Sequence, residues 1–344
     1  CMVSELQNER VLVTGGAGFI GSALVRRLLE NDNHVTVLDN FVTGALDNLQ
    51  DIVNRIEGER ADLADYIDLV SGDILRSDLA DLLESKEIDY VFHLAAEPYI
   101  PSCYDRPTDF FSVNANGTLK LLLACRDSNV KRILTYSSSE VYGTAQEVPM
   151  SESHRTYPQS TYAVSKLAAD RLCFTLFHEQ DIPVVILRQF NCYGPRETHP
   201  YIVPELIAQL STDNQLSLGN IEASRDLTYV EDAVRGASKL INCPKAEGEV
   251  VNLGYGEDYT VEELAHIIAE EMGYADVSIE VEQSRFRPLD VQQLLCDYSK
   301  ASDLIDYEPL VDIREGIRRT IDWYQENGEW VWERSLKDQL WTEN

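Results

Sequence analysis

The 344-residue sequence has no apolar run approaching the roughly 18 residues a membrane-spanning helix needs, so no such span is expected. It also lacks any Cys-x-x-Cys pair. Its seven cysteines fall at 1, 103, 125, 173, 192, 243 and 296. An odd, scattered set argues against a zinc site or disulfide framework and for reduced thiols. The six histidines form no ligand-spaced cluster, so no metal is expected. Residues Cys1 to Arg10 are polar and contain no signal-peptide apolar core, and the expected location is the cytoplasm. Basic residues are scarce, 29 against 59 acidic, and only 8 of them are lysine. A net charge of −30 repels nucleic acid and anionic membranes, which excludes both as partners. An anionic ligand would need a few arginines gathered into a pocket against that field. No repeat, low-complexity segment or flexible linker breaks the chain, which is long enough for one large domain or two intimate ones.

The first half alternates strand and helix patterns. Strands are expected at 11–14, 34–38, 68–71, 90–94, 132–137 and 183–187. Helices are expected at 19–30, 79–84, 114–127 and 161–178. Repeated βα units imply an α/β fold of the Rossmann type, a doubly wound parallel sheet with helices on both faces. Ligands then bind at the C-terminal strand edge. This gives a Rossmann domain over 1–188. Residues 189–344 read mainly as a smaller C-terminal lobe, with a short helix at 201–210 and a strand at 250–253 returning to the first domain. A helix at 260–272 carries a capping box from Thr260 and Glu263. Residues 278–297 show few regular signals, and the tail after about 325 reads as a terminal helix or frayed end.

Residues 14–22 read Thr-Gly-Gly-Ala-Gly-Phe-Ile-Gly-Ser, directly after the apolar run Val11-Leu12-Val13. A strand opening through glycines into a helix is the layout of a dinucleotide-phosphate site. Gly15 allows the turn, Gly18 leaves room for phosphates, and Gly21 permits close helix–strand packing. A tight strand-to-helix turn also favours glycine on its own. Asp39 ends the second strand, 18 residues beyond Gly21. A carboxylate there bonds both ribose hydroxyls and repels a 2′-phosphate, so NAD is expected over NADP. Asp73 and Ile74 after the third strand would flank the adenine. Leu94, Ala95 and Ala96 offer small residues where the cofactor passes.

Tyr162 and Lys166 lie four apart on a helix and face one way. A nearby ammonium and a positive nicotinamide ring favour the phenolate, which can take a proton from an alcohol. The cluster Ser137-Ser138-Ser139-Glu140 ends the fifth strand, with hydroxyls toward the same edge.

Together with TGGAGFIGS (14–22), HLAA (93–96), NANGT (114–118), SSSEVYG (137–143), YAVSK (162–166), RQFNCYGPR (188–196), RDLTYVED (225–232) and RPLDV (287–291), these residues make a resemblance over nearly the whole length. The chain resembles the extended short-chain dehydrogenase/reductases, in the NAD-dependent nucleotide-sugar epimerase/dehydratase family. The resemblance implies that Phe19, Ile20, Asn40 and Asn114 join Gly15, Gly18, Gly21, Asp39, Asp73, Ile74, Leu94, Ala95, Ala96, Tyr162 and Lys166 at the cofactor. It implies Ser138 as catalytic hydroxyl, and Asn191, Arg225, Arg287 and Asp290 as holders of a nucleoside-diphosphate sugar. It also implies a homodimer through the helices at 114–127 and 161–178, with Leu121, Leu122, Leu172 and Phe174 as candidate contacts.

Family members share oxidation at carbon 4 and diverge afterwards. Glu140 stands directly before Val-Tyr-Gly, as in the 4,6-dehydratases, where it is a base for the carbon 5 proton. Ser139 departs from the thymidine-diphosphate-glucose dehydratases, which carry an aspartate acid there, so the resemblance implies that this serine, or a water it holds, serves as the catalytic acid. Guanosine-diphosphate-mannose and uridine-diphosphate-N-acetylglucosamine dehydratases stay compatible, and TAQEVPMSESH (144–154) and QSTYAVSKLAAD (159–170) resemble the second branch, so the expected reaction is 4,6-dehydration of a uridine-diphosphate-N-acetylglucosamine-like or related sugar. The RPLDV loop has the length of the epimerase version, which keeps a uridine-diphosphate-hexose 4-epimerase as the alternative. A glucuronate decarboxylase and a catalytically inactive NAD-binding protein are further readings.

Overall fold

A computed structural model describes residues 3–58, 61–197 and 199–338; Cys1 lies outside them. Seven strands, β1 (Arg10–Thr14), β2 (His34–Asp39), β3 (Ile67–Ser71), β4 (Tyr90–His93), β5 (Arg132–Ser138), β6 (Val184–Gln189) and β7 (Val250–Leu253), form one sheet. Their order is β7-β6-β5-β4-β1-β2-β3, and every pair is parallel. The chain winds outward from β1 in one direction and from β4 in the other. The crevice between these two strands is the topological switch point of a doubly wound fold.

Both faces of the sheet are buried, which explains why the strands read as continuous apolar runs. Val11 and Val13 of β1 pack with Phe92, Leu134 and Val185 beneath helices Phe19–Glu30 and Val230–Ile241. Leu12, between them, points to the opposite layer with Val91, Ile133 and Ile186, under helices Leu79–Ser85, Thr118–Arg126 and Thr161–Gln180. A second core, from Tyr193 to Tyr324, joins helices Ile202–Leu210 and Val261–Glu271 and the start of Ile313–Asp338. The capping box is present: Glu263 N–H donates to Thr260 Oγ1 at 3.1 Å, and Thr260 N–H to Glu263 Oε2 at 2.8 Å.

Two expectations change. The helix expected over 114–127 starts earlier, at Pro107–Phe111, with proline in its first turn where a missing N–H costs nothing. It widens into a π turn over Ser112–Gly117 before resuming at Thr118–Arg126. The segment expected to lack regular structure contains strands Ser278–Val281 and Gln293–Leu294.

One buried ion pair braces the sheet behind the serine cluster. Arg188 on β6 donates through Nε and one terminal nitrogen to Asp170, at 2.8 and 3.1 Å. Ser137 Oγ adds a bond to Asp170 at 2.9 Å. The Arg188 guanidinium also lies 4.8 Å from the Tyr142 ring centroid. Hydrogen bonds from Arg188 and Arg171 hold the Asp170 carboxyl below the usual range although burial opposes them. Arg188→Leu should therefore destabilise the protein by roughly 3–5 kcal/mol, because Asp170 keeps its charge without its main partner. Chemical denaturation measures this directly.

Candidate active site

A cleft of about 740 Å³ opens at the C-terminal edge of the sheet. The glycine loop forms its floor. Gly15 has a φ of +73°, and a Cβ there would stand 2.8 Å from the Ala95 nitrogen at the end of β4. A Cβ on Gly21 would come within 2.1 Å of the Gly15 carbonyl oxygen. The two arms of the switch point thus approach so closely that side chains are excluded. Gly18, Phe19 and Ile20 face the cleft beside them, with Leu94, Ala95 and Ala96 opposite. Asp39 lies in the wall at the tip of β2, where its carboxylate accepts from Ala17 N–H at 2.9 Å and Phe41 N–H at 2.8 Å. Asn40 and Ile74 line the same end.

Asp73 and Asn114 do not line the cleft. Asp73 Oδ1 accepts from Leu75 N–H at 2.8 Å, and its Oδ2 accepts from Nδ2 of the cleft residue Asn40 at 3.5 Å. Asn114 is buried in the π turn and clamps Glu97: Oδ1 accepts from Glu97 N–H at 2.8 Å, and Nδ2 donates to the Glu97 carbonyl at 3.1 Å and to Ser165 Oγ at 2.9 Å. Glu97, not Asn114, reaches the cleft. His93 is a strut of similar kind, with its ring between the Thr14 and Thr118 hydroxyls at 2.7 and 2.9 Å. Burial lowers its pKa to about 3, so it is neutral.

At the middle of the cleft, β5 ends at Ser138 and a tight turn over Ser139–Tyr142 follows. Ser138 Oγ caps it by accepting from Glu140 N–H at 3.2 Å. Ser138, Ser139 and Glu140 all line the cleft, and all three are buried. Tyr162 and Lys166 enter from helix Thr161–Gln180, whose first turn is capped by Ser160 Oγ accepting from Ala163 N–H at 3.0 Å. The Tyr162 ring is steadied edge-on by Phe110, with centroids 6.4 Å apart. Burial pushes the Tyr162 phenol up to about 12; the Ser138 hydroxyl pulls it down and the Glu140 charge raises it. Burial lowers the Lys166 ammonium to about 8, and its Nζ donates to the Tyr136 carbonyl. Burial and the Glu140 charge both favour the neutral phenol, and a positive charge placed beside it would oppose them.

The far end belongs to the second core. Asn191, Arg225, Arg287 and Asp290 all line the cleft. Asn191 Oδ1 is buried without a hydrogen-bond partner. Arg225 donates to the Ser224 carbonyl at 2.9 Å and lies 3.8 Å from Asp290. No carboxylate of the described residues pairs with Arg287, although acids outnumber bases two to one. This is the local positive pocket that an anionic ligand requires.

A family model described as GDP-mannose 4,6 dehydratase matches residues 12–320. The chain belongs to that family. It is thus an extended short-chain dehydrogenase/reductase of the nucleotide-sugar epimerase/dehydratase group. Within the family it is 32% identical to "Uncharacterized UDP-glucose epimerase YtcB" of Bacillus subtilis (strain 168), over 91% of this chain and 96% of that one. It is 31% identical to the human dTDP-D-glucose 4,6-dehydratase, over 93% and 91% of the two chains. The UDP-glucuronic acid 4-epimerase of Bacillus cereus, solved with UDP-glucuronic acid and NAD, superposes with a TM-score of 0.83 at 32% identity, covering 92% of this chain and 99% of that one.

Sequence reasoning missed part of the wall. Tyr99, His199 and Tyr201 form an aromatic cluster lining the cleft, and Glu97 and Glu197 line it as well. These residues come from two irregular loops about a hundred residues apart, and no spacing rule links them. Of the candidate dimer contacts, Leu121 and Leu122 are core residues with no exposure and Leu172 is partly buried. Phe174 is exposed, as are Val164 and Phe111.

Proposed function

We propose that the chain is an NAD-dependent nucleotide-sugar 4,6-dehydratase. The observation that carries this reading is Glu140. Its carboxyl is buried in the cleft wall, electrostatically coupled to Tyr162, and no hydrogen bond or ion pair of the described residues ties it down. A base in that position serves no purpose in oxidation alone. It serves a proton on carbon 5 once carbon 4 is a ketone.

The glycine loop, from Gly15 to Gly21, holds the dinucleotide phosphates, and the helix starting at Phe19 turns its free N–H groups toward them. Asp39 takes the ribose hydroxyls. NAD held there would supply the hydride acceptor for carbon 4, the hydride for carbon 6, and a positive ring that favours the Tyr162 phenolate. Ser138 positions the carbon 4 hydroxyl, and Tyr162, supported by Lys166, takes its proton. Glu140 then removes the carbon 5 proton. Now a carboxylic acid, Glu140 gives that proton to the departing carbon 6 hydroxyl, which leaves as water. One group in two roles removes the need for the aspartate that Ser139 replaces. Hydride return to carbon 6 leaves an enolate, whose carbon 5 takes a proton from Glu140 recharged by solvent, while Tyr162 gives the hydroxyl proton up to solvent. The net change is loss of one water with no net oxidation. Arg225 and Arg287 hold the diphosphate, and Asp290 the nucleoside ribose. The exposed Phe111, Val164 and Phe174 face outward on the paired helices and suit a homodimer, and the free thiols suit the cytoplasm.

A 4-epimerase is the second reading, favoured by the similarity to YtcB and the B. cereus enzyme. Product mass separates them. Incubation with UDP-N-acetylglucosamine and related nucleotide sugars should give a product lighter by one water. An unchanged mass with a new diastereomer would establish the epimerase instead, and loss of carbon dioxide a decarboxylase.

A further inference from the structure

The proposed reaction leaves one buried carboxyl of the cleft unused. Glu197 follows the turn that leaves strand Asn191–Tyr193 and is 3% exposed, yet it lines the cleft. Its Oε2 has no hydrogen-bond partner. Asn191 Oδ1 is a second orphan in the same wall. Buried polar atoms left open in this way are costly unless a ligand completes them.

Tyr201 lies near Glu197 and Tyr162 alike: its phenol feels the charges of Tyr162, Glu197, Tyr99 and Arg287. Tyr201 stands edge-on to Tyr99 and His199, with centroids at 5.5 and 5.8 Å, and Tyr99 stacks on His199 at 5.1 Å with planes 7° apart. The cleft wall between the catalytic phenol and the diphosphate arginines is thus aromatic, with a carboxyl beside it. A pyranose has an apolar C–H face and a polar hydroxyl edge, and this wall matches both.

We propose that the Glu197 carboxyl hydrogen-bonds a ring hydroxyl of the hexose, with Tyr99, His199 and Tyr201 as the wall against which that ring lies. The assignment rests on the nucleotide-sugar reading above. Burial holds Glu197 far above the usual carboxylate range, and the Gly194 amide only partly opposes it. The titratable groups facing it are Cys192, Tyr201 and Tyr324, all raised by burial and uncharged. A neutral carboxyl both donates and accepts, as a sugar hydroxyl requires.

The test measures binding by calorimetry to the full chain carrying Tyr162→Phe, so that bound sugar is not consumed. The probes are UDP-N-acetylglucosamine, UDP-glucose, dTDP-glucose and GDP-mannose, their free nucleoside diphosphates, and NAD. Adding Glu197→Leu should weaken the best nucleotide sugar about tenfold to a hundredfold while free diphosphate and NAD bind as before. Adding Glu197→Gln, which keeps a neutral donor and acceptor, should retain most of the affinity. Sugar affinity with Glu197 present should fall as pH rises through its ionisation, and the Gln variant should lose that fall. Unchanged sugar affinity in both variants overturns the assignment while leaving the proposed reaction standing. So does a loss shared equally by free diphosphate, or one confined to NAD. Failure of the Tyr162→Phe parent to bind any nucleotide sugar overturns both.

Discussion

Tyr162→Phe should lower turnover by about 10²- to 10⁴-fold, the usual contribution of a positioned acid–base group, while NAD remains bound. The substitution removes one oxygen and leaves the ring in place against Phe110. The lost hydroxyl bonds Ser138 and feels the Glu140 charge, whereas the glycine loop and Asp39 hold the phosphates and ribose, so cofactor affinity reports an intact fold. Burial holds the unliganded phenol at about 12, so the active phenolate must be created by nearby positive charge. The sign follows: turnover rises with pH until Tyr162 has ionised, and Lys166 supports this only while it keeps its own proton, lost at about 8 in the unliganded protein. Steady-state rates and NAD titration check both halves. A variant with wild-type turnover would remove the phenol from the mechanism.

Glu140→Gln separates the shared first step from elimination. Product formation should fall by about 10²- to 10⁴-fold, since amide nitrogen cannot take the carbon 5 proton. Oxidation at carbon 4 uses Ser138, Tyr162 and Lys166, and should continue. Reduced nicotinamide should therefore accumulate on adding sugar, visible by its near-ultraviolet absorbance. Solvent deuterium should no longer enter carbon 5. An epimerase would show neither effect, because it never breaks the carbon 5–hydrogen bond. The experiment thus decides between the two readings independently of product mass.

What the sequence made legible was local. The glycine loop, Asp39, the serine cluster and the Tyr162–Lys166 pair each lie within one strand–turn–helix unit, where spacing dictates direction. The seven-stranded sheet followed from the same βα rhythm, including the return of residues 250–253. Asn114 and Asp73 show the limit. The sequence placed both beside the cofactor cleft but showed no sign of their anchoring, Asp73 by Leu75 N–H and Asn40, Asn114 by Glu97 and Ser165, since such side chains satisfy nearby hydrogen-bond partners first. Leu121 and Leu122 show another: helical spacing marks an apolar face but not whether it meets the sheet or a partner. The aromatic wall was illegible because it arises only when two irregular loops fold over one cleft.

Arg287, lacking a carboxylate partner among the described residues, sits in a molecule carrying thirty excess negative charges. A doubly charged visitor is pushed away at long range and welcomed only at contact. Dissolved ions shorten the reach of the repulsion more than they weaken the last few ångströms of pairing in a half-enclosed cleft. Capture should then quicken as salt is added, the reverse of what most proteins with anionic ligands show.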